Sequence, residues 1–396
     1  MPLKFQKIYQ QFSFFGFLIL FPGFFVYHFC IAKGYIPPVL GGYFGVMATL
    51  LVFPLFILNF KVVINPRVFV VKIFFLICFL IFFVSVINFV LSKPNFYAKD
   101  MFVWSVSGVL FNLVAFLVAK SAFSKKGVKL LFLFLVSMFF IVVANIGSSG
   151  IFYLKGEAGD VSGIVSTYQG FARSIVVVLL VLTAFYFQRS YLFFVIFFVG
   201  IVMLFLNGSR TEFAVYCATV LFVYALYSLN SIKRQIGFLI LILVFLLGVI
   251  YGMSYFPESR MFQLLNIMDS SSAQARFELM GFGLELISES PLLGDYGAYT
   301  VLGGIGYYPH NLLSAWVNLG IFGFILYLMA LFLMWRDAFL GFVKGHKNEF
   351  KYQIFIMFLA FVTISFFVSK DYSYMLFGLL VGFHYQYKIS LKVRYA

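Results

Sequence analysis

The stretch "FVVKIFFLICFLIFFVSVINFVLS", residues 69–92, carries a single charge, Lys72. As a helix rising about 1.5 Å per residue, it is long enough to cross the ~30 Å hydrocarbon core of a bilayer. Such runs recur along the whole chain of 396 residues, which is 63% hydrophobic and only 10% charged, against about 25% charged in soluble domains. The mean hydropathy is +1.05. Short alternating segments, the mark of a membrane barrel, are absent. The composition therefore predicts an all-α integral membrane protein of about twelve spans in a single polytopic domain, 1–396.

The expected spans are 11–32, 37–60, 69–92, 101–119, 129–148, 171–187, 190–206, 212–229, 236–253, 311–335, 352–369 and 372–387. Basic residues concentrate in alternate turns: nineteen of the 28 Lys and Arg lie on one side with two acids, Asp337 and Glu349. The other side holds nine basic residues and eleven acids, so the two sides carry +17 and −2. The positive-inside rule makes the basic side, with both termini, cytoplasmic. The net charge of +15 then reflects topology and not a nucleic-acid surface. Cys30, Cys78 and Cys217 lie in or beside apolar runs and form neither a disulfide framework nor a metal spacing. No cleavable signal, internal repeat or phosphate-binding glycine loop is evident, and no Asp or Glu is expected inside a span, which argues against a carboxylate relay. The outer side is expected to carry two loops, a smaller one at 149–170 and a large one at 254–310 containing an amphipathic helix.

The polar chemistry gathers at that outer side. In "FLNGSRTEF", residues 205–213, Asn207-Gly208 signals a turn and Ser209…Glu212 fits a capping box that opens a helix. Arg210 then falls in the first turn, where free N–H groups and the dipole favour an anion, and its planar fork suits phosphate. An interfacial arginine reaching for lipid headgroups fits this segment equally well. In "SSSAQARFELMGFGLELISESPLLG", residues 270–294, a second box, Ser271…Gln274, opens a helix with Phe277, Met280, Leu284 and Ile287 at helical spacing. Ser290-Pro291 ends it. Arg276 sits near the start of this helix, where a cation opposes the dipole unless an anion is present; a solvated charge paired with Glu278 is the alternative.

"GYYPHNLLSAWVNLGIFGFILYL", residues 306–328, supplies the one histidine expected on the outer side, His310, beside Asn311. A neutral imidazole there can take a hydroxyl proton, or it can simply cap a helix. "STYQGFARS", residues 166–174, adds Tyr168 and Gln169, suited to sugar hydroxyls, and Arg173, suited to phosphate.

These features come in a fixed order: an outer Arg turn, a long loop with an Arg-led helix ending in Pro291…Gly294, then Pro309-His310-Asn311 and Gly320…Gly323. Over about 165–335 that order resembles the O-antigen ligase and polymerase superfamily. The resemblance implies a bacterial inner-membrane glycosyltransferase of GT-C-like architecture, with its active face periplasmic and no cofactor or metal. It implies transfer of glycan from an undecaprenyl diphosphate donor, with membrane lipids and possible chain-length regulator proteins as partners. Arg210 and Arg276 would then hold the diphosphate with His310 as base, while Glu212, Tyr168, Gln169, Arg173 and Asn311 would bind substrate. A polymerase is the expected member; a ligase passing glycan to a lipid A core or a protein, and a lipid-linked sugar flippase, are the alternatives.

Overall fold

The computed structural model describes residues 3–37, 42–64, 66–91, 96–120, 123, 125–146, 168–229, 231–255 and 271–394. The expected smaller loop lies almost wholly outside these residues, as does the start of the large loop.

The described residues are predominantly helical: α1 Leu3–Leu18, α2 Phe24–Ala32, α3 Tyr43–Ile64, α4 Phe69–Leu91, α5 Phe96–Ala119, α6 Lys125–Ala144 and α7 Tyr168–Tyr186. There follow α8 Ser190–Leu206, α9 Arg210–Ser228, α10 Ile232–Tyr255, α11 Ser271–Glu289, α12 Leu313–Val343, α13 Phe350–Val368 and α14 Leu376–Arg394. Among the described residues, ten helical stretches are long and apolar enough to cross a membrane. Ten rather than twelve meet that measure because α8 is short and α14 carries Lys388, Lys392 and Arg394. The twelfth segment also starts later than residue 372. Asp371 holds a turn in which its carboxylate accepts from Ser373 N (3.2 Å) and Ser373 Oγ (2.7 Å), an alternative to helix that aspartate readily offers.

The first span is one continuous rod. A single π-turn at Ile19–Gly23 joins α1 to α2 and contains Pro22. Proline lacks the N–H that a regular turn would use, and the Tyr43 hydroxyl donates to the loosened Ile19 carbonyl at 2.9 Å. The centre of the bundle is α7 with α13. Ile175 to Leu182 and Phe355 to Val362 are buried almost without interruption, whereas α10 rests chiefly on α9 and leaves its outer face bare for lipid.

Carboxylates do lie inside the helices, which overturns the expectation that none would. Glu212 is in α9 and Asp337 in α12, both buried. A buried carboxylate in a membrane bundle needs a cation. Lys370 reaches Glu212 at 2.6 Å, and His384 and Lys388 of α14 reach Asp337 at 2.9 and 3.1 Å.

The loop helix α11 is fixed by an interlock with α12. Gly320 interrupts α12 at φ 67, ψ −175, a conformation reserved for glycine. Ile321 N therefore turns away from Val317 O and donates to Pro291 O (3.2 Å), while Val317 O accepts from Asp295 N (2.7 Å). Trp316 Nε1 also donates to Pro291 O, at 2.8 Å. The Pro291…Gly294 turn thus seats in the Gly320 break, and a Cβ on Gly320 would stand 2.1 Å from Leu292 O. Beneath this joint a small second core, Met101, Leu286, Ile287, Tyr299 and Val317, binds α11 to α5 and α12. Gly320→Ala is expected to cost about 3 kcal/mol from backbone strain alone and to free α11. The check is the melting temperature of the detergent-solubilised protein, and an unchanged value would refute the interlock.

Candidate functional site

One cavity of about 290 Å³ opens at the end of the bundle where α8 turns into α9. Five segments form its wall: the first turn of α7, the α8–α9 turn, the first turns of α11, the approach to α12 and the α13–α14 turn.

The first segment folds as its residues dictate. Asn207 ends α8, Gly208 takes a left-handed φ of 70°, Ser209 is the N-cap, and Phe213 N makes the first helical bond to Ser209 O at 3.0 Å. Arg210 and Thr211 then stand in the first turn with Gly208 and Ser209, all on the cavity wall. Backbone N–H groups of a first turn lack helical acceptors, so this wall is a natural anion seat. The capping box itself is not built as expected. The Ser209 hydroxyl donates to the Glu212 carboxylate and makes no bond to the backbone. The Glu212 carboxylate is shared between the Ser209 hydroxyl and Lys370 Nζ, the latter 2.6 Å away, and lines the cavity.

From α11 come Ala275, Arg276 and Leu279, one helical face. The apolar stripe expected on this helix is met only in part: Ile287 is buried, with Leu286 beside it, whereas Phe277 and Leu284 remain 53% and 49% exposed. The second core binds the Gly283–Leu286 face, which rolls Arg276 toward the cavity. The Ser271 side chain of the second capping box lies outside the described residues.

His310 enters from the approach to α12. Leu312 N donates to Phe366 O at 2.8 Å and Tyr372 N to Ser314 Oγ at 3.1 Å, so this approach is tied to the end of α13. The imidazole packs on the Tyr308 ring, centroids 4.5 Å apart. Burial lowers the His310 pKa to about 4, helped by the positive charges of Arg276 and Lys370 and opposed by a hydrogen bond to the Ser369 backbone. The ring is therefore neutral at physiological pH. Burial, with the Asp371 charge, pushes the Tyr308 phenol up, so it stays a hydroxyl donor.

All three residues given the central roles, Arg210, Arg276 and His310, meet at this cavity, and Gln169 and Glu212 join them on its wall. Two others do not. Asn311 turns its amide oxygen inward to accept from Leu313 N at 2.9 Å, a local cap for α12. Arg173 lies one turn deeper in α7, stacked over the Phe44 ring at 4.3 Å, with its Nε enclosed and unbonded. Tyr168 is the first residue of α7; its side chain lies outside the described residues. Sequence reasoning missed Lys370 and Tyr308, both on the wall. Tyr308 stands two residues before His310 in the same stretch, and the sequence trace of Lys370 was a charged pair, Lys370-Asp371, in a short turn on the same side as the arginines. Among the described residues, no group of three or more His, Cys, Asp or Glu is placed to hold a metal.

The family model described as O-antigen ligase matches residues 195–328. The match spans α8 to the first half of α12 and contains Arg210, Arg276 and His310. The resemblance to the O-antigen ligase and polymerase superfamily is thus borne out over this stretch. No curated protein and no solved structure matches the chain.

Proposed function

We propose that the chain is a glycosyltransferase that polymerises O-antigen, moving the growing glycan from an undecaprenyl diphosphate carrier to a lipid-linked repeat unit at the periplasmic face of the inner membrane. The single observation that supports this most is the convergence of two guanidinium groups and a neutral imidazole, from three distant segments, on one cavity.

The chemistry follows from those groups. The acceptor hydroxyl attacks the anomeric carbon opposite the diphosphate, which inverts that centre. The new C–O bond forms as the old one breaks, and its electron pair leaves on the diphosphate oxygen. Arg210 and Arg276 offset the charge that builds there, the role a divalent cation plays elsewhere. His310 Nδ1 or Nε2 takes the hydroxyl proton; a ring with a pKa near 4 is free to accept at neutral pH. Gln169 and Tyr308 supply donors for sugar or phosphate oxygens. The positive-inside rule supports the orientation, with both termini cytoplasmic and the cavity outward.

A ligase is the second reading, favoured by the description of the matched family. The glycan profile of a deletion strain separates the two. A surface lipid capped with one repeat is expected for the polymerase; full-length glycan stranded on undecaprenyl diphosphate would instead establish the ligase. Accumulation of the lipid-linked repeat on the cytoplasmic side would refute both in favour of a flippase.

A further inference from the structure

The reaction as described leaves one pair on the cavity wall without a role. Lys370 Nζ lies 2.6 Å from Glu212 Oε1, and both line the same cavity as the two arginines. A carboxylate beside a diphosphate is a liability, because it repels the substrate. The pair is also lopsided: the Glu212 side chain is only 5% exposed and that of Lys370 is 19% exposed.

Glu212 has support that does not depend on Lys370. Its other oxygen accepts from Ser209 Oγ, and it sits in the first turn of α9, at the positive end of the helix dipole. Arg173 is within electrostatic reach of it from α7. Lys370 is less enclosed and, among the described residues, makes its one ion pair with Glu212, although the buried Asp371 carboxylate is also within its electrostatic reach. Its ammonium rides on a flexible four-carbon stem in the short turn between α13 and α14, over the Tyr374 ring at 5.6 Å. One partner is anchored and the other can swing.

We infer that Lys370 is the third cation of the diphosphate site, held by Glu212 while the site is empty and passed to the diphosphate during transfer. This inference rests on the glycosyl-transfer reading above and adds a residue and a sequence of events to it. The charge count explains why a third cation is useful. A glycosyl lipid diphosphate is a diester with two negative charges, which the two arginines match. When the anomeric C–O bond breaks, its electron pair stays on the diphosphate, which becomes a monoester carrying a third charge. Lys370 supplies the third positive charge at that moment, and Glu212 remains neutralised by Ser209, Arg173 and the helix end. Release of the product then returns Lys370 to Glu212, which helps free the cavity.

The test is a double-mutant cycle on the purified full chain in nanodiscs, with farnesyl diphosphate as the probe. Lys370→Gln and the double variant Lys370→Gln/Glu212→Gln are expected to bind the probe at least tenfold more weakly than wild type. Glu212→Gln, relieved of the competing carboxylate, is expected to bind it as tightly or more tightly, yet to turn over more slowly because product release is impeded. The double variant removes both members of the pair together, so neither is left facing a missing partner, its melting temperature checks the fold, and Lys370→Arg should retain most binding. If the double variant binds the probe like wild type, Lys370 serves only to neutralise Glu212 and the inference falls while the diphosphate site stands. If wild type itself does not bind farnesyl diphosphate, the diphosphate site falls and the inference with it.

Discussion

Arg210→Ala and Arg276→Ala are each expected to abolish long-chain glycan while the protein accumulates at its normal level. Removing one preorganised donor from a site where negative charge develops costs about 10² to 10³ in rate, and a polymer requires many turns in succession. A modest loss per step therefore becomes the absence of a ladder. The two residues reach the cavity by different routes, Arg210 from the first turn of α9 and Arg276 from the face of α11 that the Gly320 interlock turns inward. Loss of activity in both variants at normal protein level therefore points to the shared cavity and not to a shared element of the fold. Arg276 also offers an internal control. A cation near the start of a helix opposes the dipole, so Arg276→Ala should melt no lower than wild type without substrate, while its activity is gone. Arg→Lys keeps the charge but not the planar fork and is expected to fall in between, at roughly a tenth of wild-type activity or less. Normal chain-length ladders from both alanine variants would remove the site.

The arginines and His310 were legible because their positions depend on local rules. A turn signal at Asn207-Gly208 fixes where α9 begins, and Ser290-Pro291 fixes where α11 ends. Apolar run length set the spans, and alternation of charge placed all three residues on one side. What was not legible is which face of an element meets which neighbour. The stripe drawn through Phe277 and Leu284 follows helical period as well as the face that is buried, and only the second core under α11 decides between them. Arg173 shares a helix with Gln169, yet four residues take it a full turn deeper, onto aromatic rings and off the wall. Asn311, next to His310, is drawn inward because the start of α12 needs an acceptor for Leu313 N. Lys370 carried no motif at all. It reaches the cavity because Leu312 N and Tyr372 N tie the ends of α12, α13 and α14 together, contacts that no local pattern encodes. The buried carboxylates were missed for a related reason. Glu212 and Asp337 are accommodated in helices by partners on other segments, Lys370 and Arg173 for the first, His384 and Lys388 for the second, which no local pattern pairs with them.

His310→Ala is expected to lower the transfer rate by about 10² to 10⁴, the usual contribution of a positioned base, and so to leave only the unmodified acceptor in a single-turnover assay. The depressed pKa gives the reaction a distinctive pH profile. An ordinary histidine base would lose activity as pH falls through about 6.5. Here burial and the nearby Arg276 and Lys370 charges hold the proton off until pH reaches about 4. The active, neutral form of the empty enzyme therefore persists on the alkaline side of that value, and kcat/KM should stay level from about pH 5 upward, falling only as the imidazole finally takes a proton. The two cations that add to the effect of burial on this pKa also bind the leaving group in the proposed reading, so part of the shift and the chemistry share a cause. Once the donor's diphosphate lies between them, its negative charge should lift the pKa back toward the ordinary value. The acid limb of kcat, which reports the loaded enzyme, should then sit at higher pH than the limb of kcat/KM, which reports the empty one. That order separates a base from a phosphate ligand. If His310→Ala weakens farnesyl diphosphate binding as much as Arg276→Ala does, the ring holds the leaving group and another residue takes the proton. If binding is kept and only transfer is lost, the imidazole acts on the acceptor hydroxyl, across the cavity from the diphosphate.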